Sequence, residues 1–241
     1  MRYLGGKYSN GVAKQIAPLI LKPNSSLIWE PFAGGLSVSL YLAKLKPATT
    51  HLWSSDICHP LVSLYNAVQE GFIPPTTSSK ADYLKAKLAP NDDPLKAFYG
   101  FALSFSGKWF GGYTADTTER RFADEASRSI VRYLTTMGNS SVDYADFLAT
   151  TPHHIESTTI YCDPPYRNTQ TYAGIPSFNH DLFFERCQQW ADHGVHVFIS
   201  EQDSPIGQVI WQKQVASFLG KKQKQARPER LYYLEPKGAQ C

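Results

Sequence analysis

Ser26-Leu27-Ile28-Trp29 is a short apolar run that reads as a buried strand. It meets a turn over Pro31 to Gly35, then a stretch from Leu36 to Leu45 whose apolar residues fall on one helical face. The unit recurs, with a strand near His51-Leu52-Trp53 that ends at Asp56 and a helix from Pro60 to Glu70. A helix that carries the chain back over the strand it follows leaves successive strands parallel. Two such units confine the chain to an α/β fold with a parallel sheet.

The same alternation is expected elsewhere. A helix is predicted over residues 10–20, with Ser9 or Asn10 as its cap, Val12, Ile16, Leu19 and Ile20 at helical spacing, and Pro23 beyond its end. In the C-terminal half, Thr158 to Cys162 reads as a strand, residues 180–193 as a helix, Val195 to Ile199 as a β-branched strand, and Arg230 to Leu234 as a final strand. Residues 71–140 differ: PPTTSS at 74–79 is linker-like, helical patterns flank it, and SFSGKWFGGY at 104–113 is an aromatic, glycine-rich loop. We therefore expect one domain from residues 1–66 and 141–241, with residues 67–140 inserted as a smaller, mainly helical one.

With 241 residues, 42% of them hydrophobic, the chain can bury a sizeable core. No apolar stretch approaches the ~18 residues that span a bilayer, and no hydrophobic signal region follows Lys7, so a cytoplasmic protein without a membrane partner is expected. Cys58, Cys162, Cys187 and Cys241 are scattered without a zinc-binding spacing, which suits a reducing compartment and no metal. A net charge of +3 permits a nucleic-acid partner without identifying one.

Glu30-Pro31-Phe32-Ala33-Gly34-Gly35 follows a strand and opens a helix. Glycine there lets a ligand approach the backbone, and the helix N-terminus offers unpaired amides. Asp56, at the end of the next strand, is placed to accept hydrogen bonds from a ribose, a reading its position favours over a cap on the following helix. The most informative motif is Asp163-Pro164-Pro165-Tyr166 directly after a buried-looking strand. An exocyclic aromatic amine is a poor nucleophile because its lone pair is delocalised. The Asp163 carboxylate and Pro164 carbonyl can accept its two hydrogens while Tyr166 stacks on the ring, a geometry for direct, in-line transfer. A plain Pro-Pro turn is the bland alternative.

Taken in order, YLGGK at 3–7, EPFAGG at 30–35, SDICHPLVSLYN at 55–66, YCDPPY at 161–166, SFNHDLF at 177–183, VFIS at 197–200 and ERLYYLEP at 229–236 resemble the Dam-like adenine-specific DNA methyltransferases over nearly the whole chain. The resemblance implies a Rossmann-like sheet that binds S-adenosyl-L-methionine (AdoMet), a smaller target-recognition domain, and double-stranded DNA as partner of a monomer or weak dimer. It implies that Tyr3 and Lys7 help hold AdoMet, that Glu30, Phe32 and Gly34 surround its methionine part, that Asp56 binds its ribose, and that Tyr144 in VDYADF at 142–147 lies beside its adenine. Asp163, Pro164, Pro165 and Tyr166 are the implied catalytic residues, with Asp163 also facing the cofactor. Leu36 departs from the pattern: the family loop often has a glycine there, and here Gly35 comes one position earlier.

Reaching the amine inside a duplex requires flipping the base, and Lys108, Trp109, Tyr113, Arg120 and Arg121 interleave charge with rings in the region that corresponds to DNA contact. Arg128 and Arg132 extend this set, while Glu119, Asp124 and Glu125 dilute it; Lys221, Lys222, Lys224 and Arg227 read better as solvated surface than as phosphate contacts. Carbon-5 methylation of cytosine needs a Pro-Cys nucleophile, which the chain lacks. Amino methylation of cytosine or of RNA stays open. A nicotinamide-dependent oxidoreductase is disfavoured because G-x-G-x-x-G does not follow the first strand. The intact DPPY motif argues against a DNA-binding module without activity.

Overall fold

The computed structural model describes residues 6–8, 10–152, 157–167, 178–218 and 224–237; Tyr3, Ser9, Ser177, Lys221, Lys222 and Cys241 lie outside them. Its elements are α1 (Val12–Ile20), β1 (Leu27–Glu30), α2 (Ser37–Leu45), β2 (His51–Asp56), α3 (His59–Gln69), α4 (Lys80–Leu88), α5 (Pro94–Ala97), α6 (Phe122–Met137), β3 (Ser141–Tyr144), β4 (Thr158–Cys162), α7 (His180–Asp192), β5 (His196–Glu201), β6 (Gln208–Phe218) and β7 (Lys224–Leu234). A π-helical turn over Phe98–Ala102 and a 3-10 turn over Phe105–Gly107 follow α5.

The strands form one sheet in the order β3-β2-β1-β4-β5-β7-β6. β1 pairs parallel with β2 and β4, β2 with β3, and β4 with β5, whereas β7 runs antiparallel to both β5 and β6. This is the expected α/β, Rossmann-like sheet with an added, mainly helical region. β1 and β4 are neighbours from which the chain winds outward in opposite directions. The crevice beyond their carboxyl ends is where such sheets bind ligands.

The period of two along each strand divides the core. Ile28, Tyr161 and Phe198 face α1, α2, α3 and the helices of residues 80–137. Trp29, Ile160, Cys162, Val197 and Ile199 face the other way, against Phe183, Cys187 and Trp190 of α7. Helical side chains from Tyr83 to Met137 join the first of these cores continuously, so the region between β2 and β3 packs on the sheet's own layer. Trp29 lies flat on Trp53, with ring centroids 4.8 Å apart and planes 12° apart, and meets Trp190 edge-on at 5.4 Å. Both stacked indoles donate outward, Trp29 Nε1 to Ser55 Oγ at 2.9 Å and Trp53 Nε1 to Asp143 Oδ2 at 2.8 Å.

Local chemistry accounts for the helix starts. Asn10 Oδ1 accepts from Val12 N at 3.1 Å before α1, Ser79 and Asp82 form a reciprocal capping box on α4, and Asn179 Oδ1 accepts from Asp181 N and Leu182 N at 3.1 Å on α7. β3 and β6 were not anticipated. β3 is four residues long with its last two exposed, and β6 runs Val-Ile-Trp and then Gln-Lys-Gln with no period of two, leading into a basic stretch that reads as a loop. β7 begins six residues before the expected Arg230, because its upstream half pairs with β6.

Candidate active site

The glycine turn after β1 is held by the strand beside it. Asp56 Oδ2 accepts from Gly34 N at 2.8 Å, Asp56 Oδ1 accepts from Cys58 N at 2.8 Å at the start of α3, and Tyr65 donates to the Gly34 carbonyl at 2.6 Å. Asp56 thus ties the loop to the next helix. Burial raises its pKa against the pull of the backbone N–H groups. Gly34 has φ +44°, and Leu36 has φ +55° with its side chain buried. The missing second glycine is therefore replaced by a leucine that takes up the left-handed conformation and anchors it in the core.

Glu30 closes β1 with its carboxyl buried, accepting from Ser39 Oγ, which also bonds Ser54 Oγ at 2.7 Å. Burial pushes Glu30 up to about 8; the Ser39 hydrogen bond opposes this, and the Asp163 charge adds to it. Phe32 stands in an aromatic group with Phe147, Phe178 and Phe183, at centroid distances of 5.0, 5.7 and 5.6 Å. Tyr144 lies level with Asp56 in the β2–β3 register, 57% exposed, and meets His59 edge-on at 5.1 Å.

DPPY leaves the carboxyl end of β4 beside this turn. Lys7, 3% exposed, donates through Nζ to Asp163 Oδ1 at 2.5 Å and to Tyr166 Oη at 2.6 Å, and lies 3.2 Å from Glu229 Oε1. Tyr166 in turn donates to Glu229. A cation, two carboxylates and a phenol from the N-terminal segment, the β4 turn and β7 form one network. Burial works against the Lys7 ammonium, but Asp163 and Glu229 hold its pKa above the ordinary lysine value. Burial also pushes Asp163 upward, Lys7 opposing it. Pro164 is buried and Pro165 exposed, the Pro165 carbonyl facing His180 Nε2 at 3.0 Å.

The structure thus brings Lys7, Glu30, Gly34, Asp56, Asp163 and Tyr166 to one edge of the sheet, with Phe32 and Tyr144 flanking it. Two neighbours escaped sequence reasoning. Glu229 sits in a basic stretch whose fold partners are distant in the chain. Glu201 closes the apolar β5 with a carboxyl 1% exposed. Burial pushes Glu201 up to about 7. An acid directly ending a β-branched run was its one sequence signal.

The residues read as DNA contacts occupy the segment before α6 and differ in exposure. Lys108 and Arg121 are exposed. Trp109 is half-buried against Phe101 and Phe110 at 4.6 and 4.8 Å, and Tyr113 donates to the Ser78 carbonyl at 2.9 Å. Arg120 is exposed and paired with Glu125, and Arg128 pairs with Asp124 at 2.7 Å. Among the described residues no group of three His, Cys, Asp or Glu side chains is arranged to hold a metal ion, and no helix is long and apolar enough to cross a membrane.

No curated protein matches the chain. Among solved structures, yhhF of Escherichia coli, whose name assigns it provisionally to the methyltransferases, is 14% identical over 98% of this chain and 99% of its own, with a TM-score of 0.40, a likeness too loose to carry an argument. Residues 3–101, under half of the chain, match the family of D12 class N6 adenine-specific DNA methyltransferases, to which this stretch, with Lys7, the glycine turn and Asp56, is similar.

Proposed function

We propose that the protein is an AdoMet-dependent DNA methyltransferase acting on the exocyclic 6-amino group of adenine. The observation that carries this reading is the DPPY turn at the point where the sheet reverses its winding, its Asp163 tied through Lys7 to Glu229. The family similarity over residues 3–101 supports it independently.

AdoMet supplies an electrophilic methyl group on a sulfonium. The donor set fits such a ligand: one lysine stands among five carboxyl groups, so the edge is short of positive charge, and the turn at Gly34 brings backbone close to the crevice. Glu30, Phe32 and Gly34 would flank the methionine part, Asp56 the ribose and Tyr144 the adenine, with Lys7 meeting a carboxylate. At the reacting end, Asp163 and the Pro164 carbonyl accept the two hydrogens of the target amine, which localises its lone pair, and Tyr166 fixes the plane of the base. Lys7 favours the charged form of Asp163, the form that accepts. Flipping the base costs a few kcal/mol, offset by stacking and by phosphate contacts from residues such as Lys108 and Arg121.

The test is methylation of unmethylated duplex DNA by purified protein with AdoMet, read by nucleoside mass spectrometry. 6-Methyladenine is expected. 4-Methylcytosine alone, or label entering RNA alone, would overturn the choice of substrate.

A further inference from the structure

The carboxyl edge of the sheet carries an acid on each of several neighbouring strands: Asp56 on β2, Glu30 on β1, Asp163 after β4, Glu201 on β5 and Glu229 on β7. Adjacent strands lie ~4.8 Å apart, so Asp56 and the glycine turn sit on one side of Asp163 and Glu201 on the other. Cys162 pairs with Ile199, which sets Asp163 level with Ser200 and Glu201 just past it. If the cofactor occupies the side of the glycine turn, Glu201 stands on the side left for the acceptor.

The acids differ in what they already bond. Asp163 Oδ1 is held by Lys7, Glu229 Oε1 receives Tyr166 and Lys7, and Glu30 Oε2 receives Ser39. Glu201 Oε1 accepts from the Gln202 backbone N–H at 2.7 Å, but its Oε2 is buried with no hydrogen-bond partner among the described residues. Arg230, level with Glu201 in the β5–β7 register, turns its guanidinium to the Gln202 carbonyl instead. A buried carboxyl oxygen without a partner costs stability unless a ligand group meets it.

Building on the methyltransferase reading, we propose that Glu201 accepts the proton released when the amine held at Asp163 is methylated. As the amine nitrogen gives its lone pair to the new N–CH3 bond, the electron pair of the broken S–CH3 bond stays on sulfur and the nitrogen becomes cationic. One N–H proton then leaves its hydrogen bond to Asp163 or the Pro164 carbonyl and passes to Glu201 Oε2, directly or through one water. This leaves a neutral methylamino group and a neutral carboxyl, which returns the proton to solvent. Glu201 must be ionised to do this. Burial, opposed by the Gln202 N–H and Lys7 and reinforced by the charges of Asp163 and Glu229, pushes its pKa up to about 7, where a general base is most effective.

The experiment is single-turnover methylation of adenine-containing duplex DNA by the full chain between about pH 5 and 9, for wild type and Glu201→Gln. It is paired with AdoMet calorimetry and carbon-13 NMR of glutamate-labelled protein. The wild-type rate should climb tenfold per unit and level off near pH 7. Glu201→Gln should lose about 10²-fold or more in rate and flatten the profile, while AdoMet affinity stays within threefold. One glutamate resonance titrating near pH 7 in the free protein should vanish in the variant. Retention of rate in Glu201→Gln, or a flat wild-type profile, overturns the role, and the wild-type profile alone decides if the variant misfolds. A wild type that binds AdoMet yet methylates no DNA sinks the methyltransferase reading itself, and this role with it.

Discussion

Replacing Glu30 by glutamine isolates the cost of one buried carboxyl. Its pKa moves from 4.5 to about 8, chiefly by burial. A raised carboxyl disfavours its charged form in the folded state, so its contribution to stability is complete below pH 4.5 and is lost as pH rises to about 8. At 1.36 kcal/mol per unit the whole span amounts to about 5 kcal/mol. Glutamine has the same shape and no charge, but its amide nitrogen enters a pocket arranged for an acceptor, where Ser39 donates to Glu30, at a cost of about 1–3 kcal/mol. Glu30→Gln should therefore be less stable than wild type at pH 5, equal to it near about pH 6, and more stable by about 2–4 kcal/mol at pH 9. Urea unfolding of both proteins at intervals across this range measures the difference directly, because other titrating groups cancel. A difference that does not change with pH would refute the assignment of a buried, neutral Glu30.

Removing Lys7 leaves Asp163 and Glu229 without their cation; Lys7→Ala should cost towards the lower end of roughly 3–5 kcal/mol, since Asp163 is partly exposed, and should weaken AdoMet binding in calorimetry. Asp163→Ala should leave AdoMet bound and abolish methylation of DNA; near-normal turnover would refute the acceptor role of this carboxylate. Leu36→Gly relieves a left-handed leucine but empties a buried site, and a net loss of about 1–3 kcal/mol is expected in urea, whereas a more stable variant would show that the side chain anchors nothing. In Gly100→Ala the new methyl would lie 2.5 and 2.7 Å from Trp109 ring carbons; a loss of about 1–3 kcal/mol and weaker DNA retention are expected, with AdoMet affinity unchanged.

The strands flanking the site could be read from sequence because they are buried on both faces. Runs rich in apolar and β-branched residues, such as Thr158–Cys162 and Val197–Ile199, admit few other conformations, and DPPY follows the first of them directly. The β6–β7 hairpin was less legible: residues 208–215 are exposed or half-buried, and Val209, Ile210 and Trp211 run together before Gln212, Lys213 and Gln214, so no period of two marks the strand. Glu229 illustrates a different limit. Its meaning comes from Tyr166, 63 residues earlier, and from Lys7 near the start of the chain, contacts that exist only once β7 has inserted beside β5. In the 104–113 loop the order of rings and charges does not say which rings turn inward; Trp109 does so because Gly100 leaves it room.

The indole pair beneath the glycine turn gives the molecule an optical signature of its own. Trp29 and Trp53 belong to β1 and β2, the strands whose ends carry Glu30 and Asp56, and their near-parallel stacking at 4.8 Å is close enough for their excited states to couple. A signed doublet in the near- to far-ultraviolet circular dichroism would report that these two strands are in register, and any event that parts them would erase it without an added label. The assembly of this sheet edge can thus be followed in the unmodified chain, apart from any change in overall helix content.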